Sequence, residues 1–167
     1  LLSGVMDGTI DAIATDHAPH APEDKDCSPE DAAFGISGFE TALGALLELH
    51  HSGPVGMLRL VRALTTGPAS VLGRRASVRM ERDFVLFDPA REWVVDPSMF
   101  LSRGANTPLS GRTLTGKVLA TACGGTCVFA APELSERIVG HVPEWWSVGA
   151  SVRASRETAG TQRRGDT

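Results

Sequence analysis

The segment from Thr9 to Asp16 most constrains what this chain of 167 residues can fold into. Its letters, TIDAIATD, form a nearly continuous run of small and β-branched apolar residues. Such a run suits a strand that is buried on both faces, as in a parallel sheet. The run ends at Asp16, and His17 and His20 follow it closely. Polar side chains directly after a buried strand either cap a turn or take part in chemistry. The sequence therefore predicts an α/β fold with a candidate site at the end of this strand.

A long loop follows the predicted strand. Pro19, Pro22 and Pro29 block regular structure in it, and loops of this length inside a compact domain are commonly functional or disordered. Carboxylate and imidazole groups are natural ligands and proton carriers for a divalent metal and its bound water. Residue chemistry alone thus leaves two interpretations open. Asp16 caps a turn beside incidental surface histidines, or the strand end is a metal-hydrolase site.

Helical spacing begins at Ser37. Ser37 and Glu40 have the spacing of a capping box, and apolar residues then recur on one face. We predict a helix from Ser37 to the Gly53-Pro54 stop and a second helix over residues 55–66. The residues of the first apolar face are Phe39, Ala42, Leu43, Leu46, Leu47 and His50. Strand, loop and helix in this order form one βα unit.

The second half of the chain has the pattern of a small β module. Residues 84–89 and 92–96 predict two short strands, and residues 116–130 predict two more around a Gly124-Gly125 turn. Residues 132–167 are rich in Ser, Arg, Gly and Thr, and we predict that this tail is largely disordered.

Composition excludes some classes of protein. The net charge of −4 argues against a nucleic-acid surface, and no apolar run approaches the roughly 18 residues that cross a membrane. Three cysteines without metal-finger spacing make a reducing cytoplasm the default expectation. Because the chain starts at Leu1 and enters directly into strong patterning, we expect it to be the back part of a longer protein.

Two stretches carry a resemblance to a known family. DGTIDAIATDHAPH (residues 7–20), followed by FGISGFETAL (34–43), closely resembles the last barrel strand and following helix of bacterial dihydroorotases, which are metal-dependent cyclic amidohydrolases. The resemblance continues through LTTGPASVLG, FVLFDP and SRGANTPLSGRTLTGKVLATACGG, and covers about residues 4 to 130. It implies that residues 1–75 are the last strand and helices of a TIM-type (β/α)8 barrel. Residues 76–131 would be a small β-sandwich module.

The resemblance also implies roles for individual residues. Asp16 matches the catalytic aspartate, which is also a metal ligand. His20 matches the residue that binds the carboxylate of the substrate, and Phe34 and Gly35 match the pair whose backbone contacts the pyrimidine ring. His17 has no implied substrate role, and we expect it to make a supporting hydrogen bond. We expect the acidic run in the same loop to be a solvated face. Its members are Glu23, Asp24, Asp26, Glu30 and Asp31.

The implied activity is the reversible, zinc-dependent hydrolysis of (S)-dihydroorotate to N-carbamoyl-L-aspartate in pyrimidine synthesis, with one or two zinc ions. A homodimer or a complex with aspartate transcarbamoylase is the implied assembly, and we expect no nucleic-acid or membrane partner. Two alternatives stay open. The first is another cyclic amidohydrolase, such as an allantoinase, which shares the Asp-His pair but usually differs directly after it, as dihydropyrimidinases do. The second is a non-catalytic dihydroorotase-like scaffold that binds the transcarbamoylase.

The sequence departs from the family pattern in three ways. The His-x-His pair and the further metal ligands of the earlier strands are absent from these 167 residues, and a complete barrel needs about 250 residues. The stretch RRASVRMERDF lacks the usual Gly-rich turn, and Gly67 stands where Asn is usual. We therefore expect these residues alone to be inactive, with most zinc ligands in a missing N-terminal part.

Overall fold

The computed structural model describes residues 1–74 and 82–134 and the backbone of residues 147–148. The described residues group into two compact units, residues 1–74 with 89–117, and residues 82–88 with 118–134 and 147–148. Residues 89–117, which the sequence assigns to the β module, thus group with the first unit. The predicted disorder of residues 132–167 concerns a tail that lies mostly outside the described residues. Within the described ranges, no helix is long and apolar enough to cross a membrane.

The first unit contains short helices: α1 (Leu2–Asp7), α2 (Ala42–His51), α3 (Met57–Leu64) and α4 (Thr66–Val71). Turns of 3-10 helix cover Pro22–Asp24 and Pro97–Met99. Apolar side chains on the inward faces of the helices and at residues 55, 95 and 114 form its core. The fully buried members are Leu47, Val55, Ala63, Val95 and Leu114. The two predicted helices are therefore present, with shifted ends, and Gly67 lies inside α4.

The predicted capping box is wrong. Helix α2 begins at Ala42, and neither Ser37 nor Glu40 caps it. The Ser37 hydroxyl is fully buried and donates a hydrogen bond to the Gly104 carbonyl at 2.6 Å, while Glu40 Oε1 accepts one from the Ser102 amide at 2.8 Å. Long-range partners occupy both side chains, so the helix starts later than the sequence predicts.

The predicted strand over residues 9–16 is also absent from the described part of the chain. A parallel strand needs hydrogen-bonded neighbours, and here the segment makes only scattered bonds, such as the Ile13 amide to the Ala63 carbonyl at 2.9 Å. A single parallel bridge joins His17 to Ile36 just beyond it. The segment is therefore an extended connection, and its residues Ile10, Ala12 and Ile13 are half-buried instead of fully buried.

One sheet has the strand order β1-β2-β3-β4, where β1 is Phe84–Val94, β2 is Thr113–Cys123, β3 is Thr126–Ala130 and β4 is Ser147–Val148. Strands β2 and β3 are antiparallel, with Cys123 opposite Thr126, and β4 runs parallel to β3. The predicted Gly124-Gly125 turn is confirmed, and both glycines have positive φ, as a two-residue hairpin turn requires. The two short strands predicted around residues 84–96 are instead the single strand β1. Helices and a sheet together confirm the α/β class.

Candidate active site

Three segments of the first unit meet around the end of the TIDAIATD stretch. The Ala18 amide donates to the Ile36 carbonyl at 2.9 Å, and the His20 amide donates to Asn106 Oδ1 at 3.0 Å. The packing is close: a Cβ atom on Gly104 would lie 2.4 Å from Pro19 Cβ. Residues 16–20, 34–38 and 104–106 therefore form one cluster, which we call the loop junction.

Asp16 lies at the loop junction with an unusual backbone. Its φ of +49° makes it the only non-glycine residue with positive φ among those described, a conformation that costs about 1 to 2 kcal/mol for most residues but that Asp tolerates better. Its carboxylate is exposed, and the described residues offer it no hydrogen bond or ion pair. Strained backbone is frequent at functional sites, so an open carboxylate here is suited to a ligand or a proton.

The ring of His17 is held by other contacts and is not placed to bind a metal. Its Nδ1 accepts hydrogen bonds from the amides of Gly38 at 3.0 Å and Phe39 at 3.3 Å, and its ring stacks on that of Phe39 with centroids 3.8 Å apart. Because Nδ1 accepts, the proton of the neutral ring is on Nε2. Neither nitrogen then offers a lone pair to a metal, and His17 can act as a donor only through Nε2.

His20, Phe34 and Gly35 are brought together. His20 Nε2 donates to the Phe34 carbonyl at 2.7 Å, and His20 Nδ1 lies 3.7 Å from Asp24 Oδ2. Gly35 has φ +115°, and a Cβ there would lie 2.5 Å from Ala18 Cβ and 3.3 Å from His20 Nε2. The position therefore requires glycine. Phe34 as a residue is 96% exposed, and its backbone carbonyl contacts the imidazole.

Two residues that the sequence did not single out complete the junction. Asn106 accepts from His20 and donates through Nδ2 to the Gly35 carbonyl at 3.1 Å. The Lys25 ammonium donates to the Gly35 carbonyl at 2.7 Å and also to the Ala33 carbonyl. The sequence could have indicated Lys25, because it is the one lysine within an acidic loop. Nothing in the spacing of Asn106 indicates a partner 86 residues earlier.

Glu40 adds a carboxylate behind the junction. Burial acts to raise the pKa of Glu40, but hydrogen bonds from Ser102 outweigh it and, with the nearby His17, hold the pKa below its usual value. Its Oε2 atom is buried without a hydrogen-bond partner in the described residues. The charge of Glu40 is therefore favoured by its surroundings although one of its oxygens lacks a partner.

Metal ligands are sparse in the described ranges. They contain no group of three or more His, Cys, Asp or Glu side chains arranged to hold a metal ion. The acidic run of the loop is exposed, as expected. Asp16 is the one residue here that the family resemblance matches to a metal ligand, so the described residues alone do not form a complete metal centre.

This chain is similar to known proteins both in sequence and in fold. The chain is 46% identical over 129 residues to a dihydroorotase of Syntrophus aciditrophicus (strain SB) and 46% identical over 128 residues to one of Anaeromyxobacter dehalogenans (strain 2CP-C). Each match covers 75% of this chain and 30% of the relative. The chain thus spans about 30% of the length of the curated relatives that it matches.

Among solved structures, an L-hydantoinase (dihydropyrimidinase) from Arthrobacter aurescens matches with a TM-score of 0.69 and 28% identity. That match covers 77% of this chain and 31% of the hydantoinase. No protein-family model matches the chain. The resemblance to dihydroorotases that the two sequence stretches indicate is confirmed by identity of 46% over about three quarters of the chain.

Proposed function

We propose that this chain, a sequence relative of the dihydroorotases, carries the proton-transfer and substrate-carboxylate part of a dihydroorotase active site. The observation that carries the proposal is the loop junction itself. Asp16 presents an open carboxylate, and His20 lies against Phe34 and Gly35. These are the four positions that the family resemblance associates with chemistry and binding.

The chemistry of each group suits hydrolysis of a cyclic amide. The Asp16 carboxylate takes a proton from the attacking water and returns it to the leaving nitrogen of the opened ring. His20 donates a charge-assisted hydrogen bond from Nδ1 to the substrate carboxylate when the ring is protonated. The amides of Phe34 and Gly35 have no acceptor within the described residues. They are therefore free to donate to a carbonyl oxygen of the pyrimidine ring.

Zinc belongs to this proposal as one or two bound ions. It would lower the pKa of a bound water and so supply the nucleophile, with Asp16 as the one ligand that this chain contributes. A hydrolytic zinc site has three protein ligands and one open position, so further ligands have to come from outside the described residues. Residues 9–16 likewise need neighbours from outside the described residues, because they form a barrel strand of the (β/α)8 type only when neighbouring strands pair with them. The β-sandwich module and a homodimer or transcarbamoylase complex likewise remain proposals.

A second candidate is an amidohydrolase that acts on an uncharged ring. The similarity to the Arthrobacter hydantoinase favours it, and both activities need the same proton transfer by Asp16. His20 separates them, because only a substrate with a carboxylate uses a cationic donor at that position.

The experiment compares Asp16→Asn with Asp26→Asn in the protein as its gene encodes it, supplied with zinc. Asp26 is an exposed carboxylate of the neighbouring loop with no side-chain partner within the described ranges, so it is a matched control for charge. We expect Asp16→Asn to lose about 100-fold or more of dihydroorotate turnover, since general acid–base catalysis contributes about 10² to 10⁴. The Asp26 variant should stay within about threefold of wild type. Turnover of the Asp16 variant in that same range would reject the proposed role.

A further inference from the structure

Three successive peptide carbonyls at the loop junction are all held by side-chain donors. The Lys25 ammonium donates to the carbonyls of Ala33 and Gly35, and His20 Nε2 donates to the carbonyl of Phe34 at 2.7 Å. Asn106 adds a second donor to Gly35. This backbone stretch therefore has its oxygens turned toward Lys25 and His20.

A planar trans peptide fixes the next N–H once its carbonyl is fixed, because the two groups point in opposite directions. No cis peptide occurs in the described chain. Holding the Ala33 carbonyl thus orients the amide of Phe34, and holding the Phe34 carbonyl orients the amide of Gly35. Neither of these amides has a protein acceptor in the described segments. The Phe34 amide thus points away from Lys25, and the Gly35 amide points away from His20 Nε2.

The environment of Lys25 indicates that its ammonium is committed to this task. Its loop contains five acidic residues, yet Lys25 makes no ion pair with any described carboxylate. The side chain is half-buried, and its ammonium donates hydrogen bonds to two backbone oxygens instead. Hydrogen bonds from a charged donor are about twice as strong as neutral ones, so they suit a backbone that must stay in place without a ligand.

We propose that Lys25 is a positioning residue that holds the amide of Phe34 toward the pyrimidine ring through the Ala33 carbonyl, beside the amide of Gly35 that His20 orients through the Phe34 carbonyl. The inference deepens the proposed function and rests on it for the identity of the ligand. Lys25 touches no reacting atom in this account. Its loss should therefore weaken substrate binding and leave the chemical step nearly unchanged.

The test uses Lys25→Gln, the conservative Lys25→Arg, and Arg62→Gln as a control that removes an exposed positive charge from α3. We expect Lys25→Gln to raise KM for dihydroorotate about tenfold with kcat within about twofold, and Lys25→Arg to restore most of the loss. Hydrogen exchange at the bonded amides of Ala33 and Ala18, which lie beside this stretch, should quicken in the Gln variant only. Unchanged KM and unchanged exchange would overturn the inference, and so would a fall in kcat alone.

A second measurement needs no variant. The chain has only two lysines, Lys25 and Lys117, so acetylation of each is read separately by mass spectrometry. We expect Lys25 to react at least about tenfold more slowly than a free lysine, because its amine is held by two carbonyls. Reaction at the free rate would overturn the inference even if the Gln variant does not fold. If the wild type does not turn over dihydroorotate, the proposed function fails, while exchange and acetylation still decide the role of Lys25.

Discussion

Replacing Asn106 with Ala should loosen the loop junction without removing any group that the substrate touches. Two side-chain hydrogen bonds are lost, from the His20 amide at 3.0 Å and to the Gly35 carbonyl at 3.1 Å. The Ser37 hydroxyl also lies 3.1 Å from Asn106 Oδ1, but it has a single proton and keeps its shorter bond to the Gly104 carbonyl at 2.6 Å, so this contact does not add a third lost bond. Lys25 still holds the Gly35 carbonyl, so only the His20 amide is left without a partner.

The magnitude follows from this count. Each net hydrogen bond contributes about 1 kcal/mol, and an orphaned, partly buried amide costs about 1 kcal/mol more. We therefore expect Asn106→Ala to lower the free energy of unfolding by about 2 to 3 kcal/mol. The backbone bond from the Ser37 amide to the Asn106 carbonyl at 2.8 Å survives the change, so the segment should still dock.

Urea unfolding followed by tryptophan fluorescence measures the change, with Ser110→Ala as the control. Ser110 is exposed and makes no side-chain hydrogen bond within the described residues. Ser110→Ala should therefore change the free energy of unfolding by no more than about 0.5 kcal/mol. An Asn106 variant that is as stable as the Ser110 variant would refute the reasoning. The three segments would then be held together by packing and backbone bonds alone.

Three further expectations concern pH, packing and metal. The pKa of Glu40 is lowered in the folded state, so its ionised form stabilises the fold at pH values above the usual pKa of a glutamate, and this stabilisation is lost as the pH falls through the folded pKa. The difference in the free energy of unfolding between wild type and Glu40→Gln should therefore shrink in acid. A difference that does not change with pH would contradict the prediction. A Cβ on Gly67 would lie 1.9 Å from the Asp11 carbonyl oxygen, whereas one on Gly56 meets nothing within 4 Å. Gly67→Ala should therefore cost about 1 to 3 kcal/mol and Gly56→Ala far less, and equal losses in urea unfolding would count against the clash. With Asp16 as its one matched ligand, the 167-residue chain alone should lose zinc on dialysis against a weak chelator, and a stoichiometric retained ion would disprove this.

Local chemistry made part of this structure predictable. The Gly124-Gly125 turn depends on two residues that accept positive φ, and its position follows directly from the sequence. The apolar spacing that predicts α2 and α3 places Leu47 and Leu60 in the core, as observed. Phe39 is the exception on that predicted face: it lies before the helix and is 64% exposed, stacked on His17.

Long-range contacts made the rest unpredictable. Ser37 and Glu40 have the right spacing for a cap, but their partners lie 67 and 62 residues away in Gly104 and Ser102. Spacing along the chain carries no information about such partners. The apolar run before Asp16 has the composition of a buried strand, yet composition does not supply the neighbours that a strand pairs with. The family resemblance identified residues at the junction, whereas the donors that hold them emerged only from the fold.

The account rests on His20 binding a substrate carboxylate, and a comparison of two rings tests this most directly. Dihydroorotate and dihydrouracil share the cyclic amide and differ by that carboxylate. In the protein as its gene encodes it, we expect kcat/KM to favour dihydroorotate by about 10-fold to 100-fold, as a charge-assisted hydrogen bond provides. His20→Ala should remove most of this preference, and His51→Ala, outside the junction, should retain it. A wild type that prefers dihydrouracil, or an unchanged preference in His20→Ala, would contradict the account.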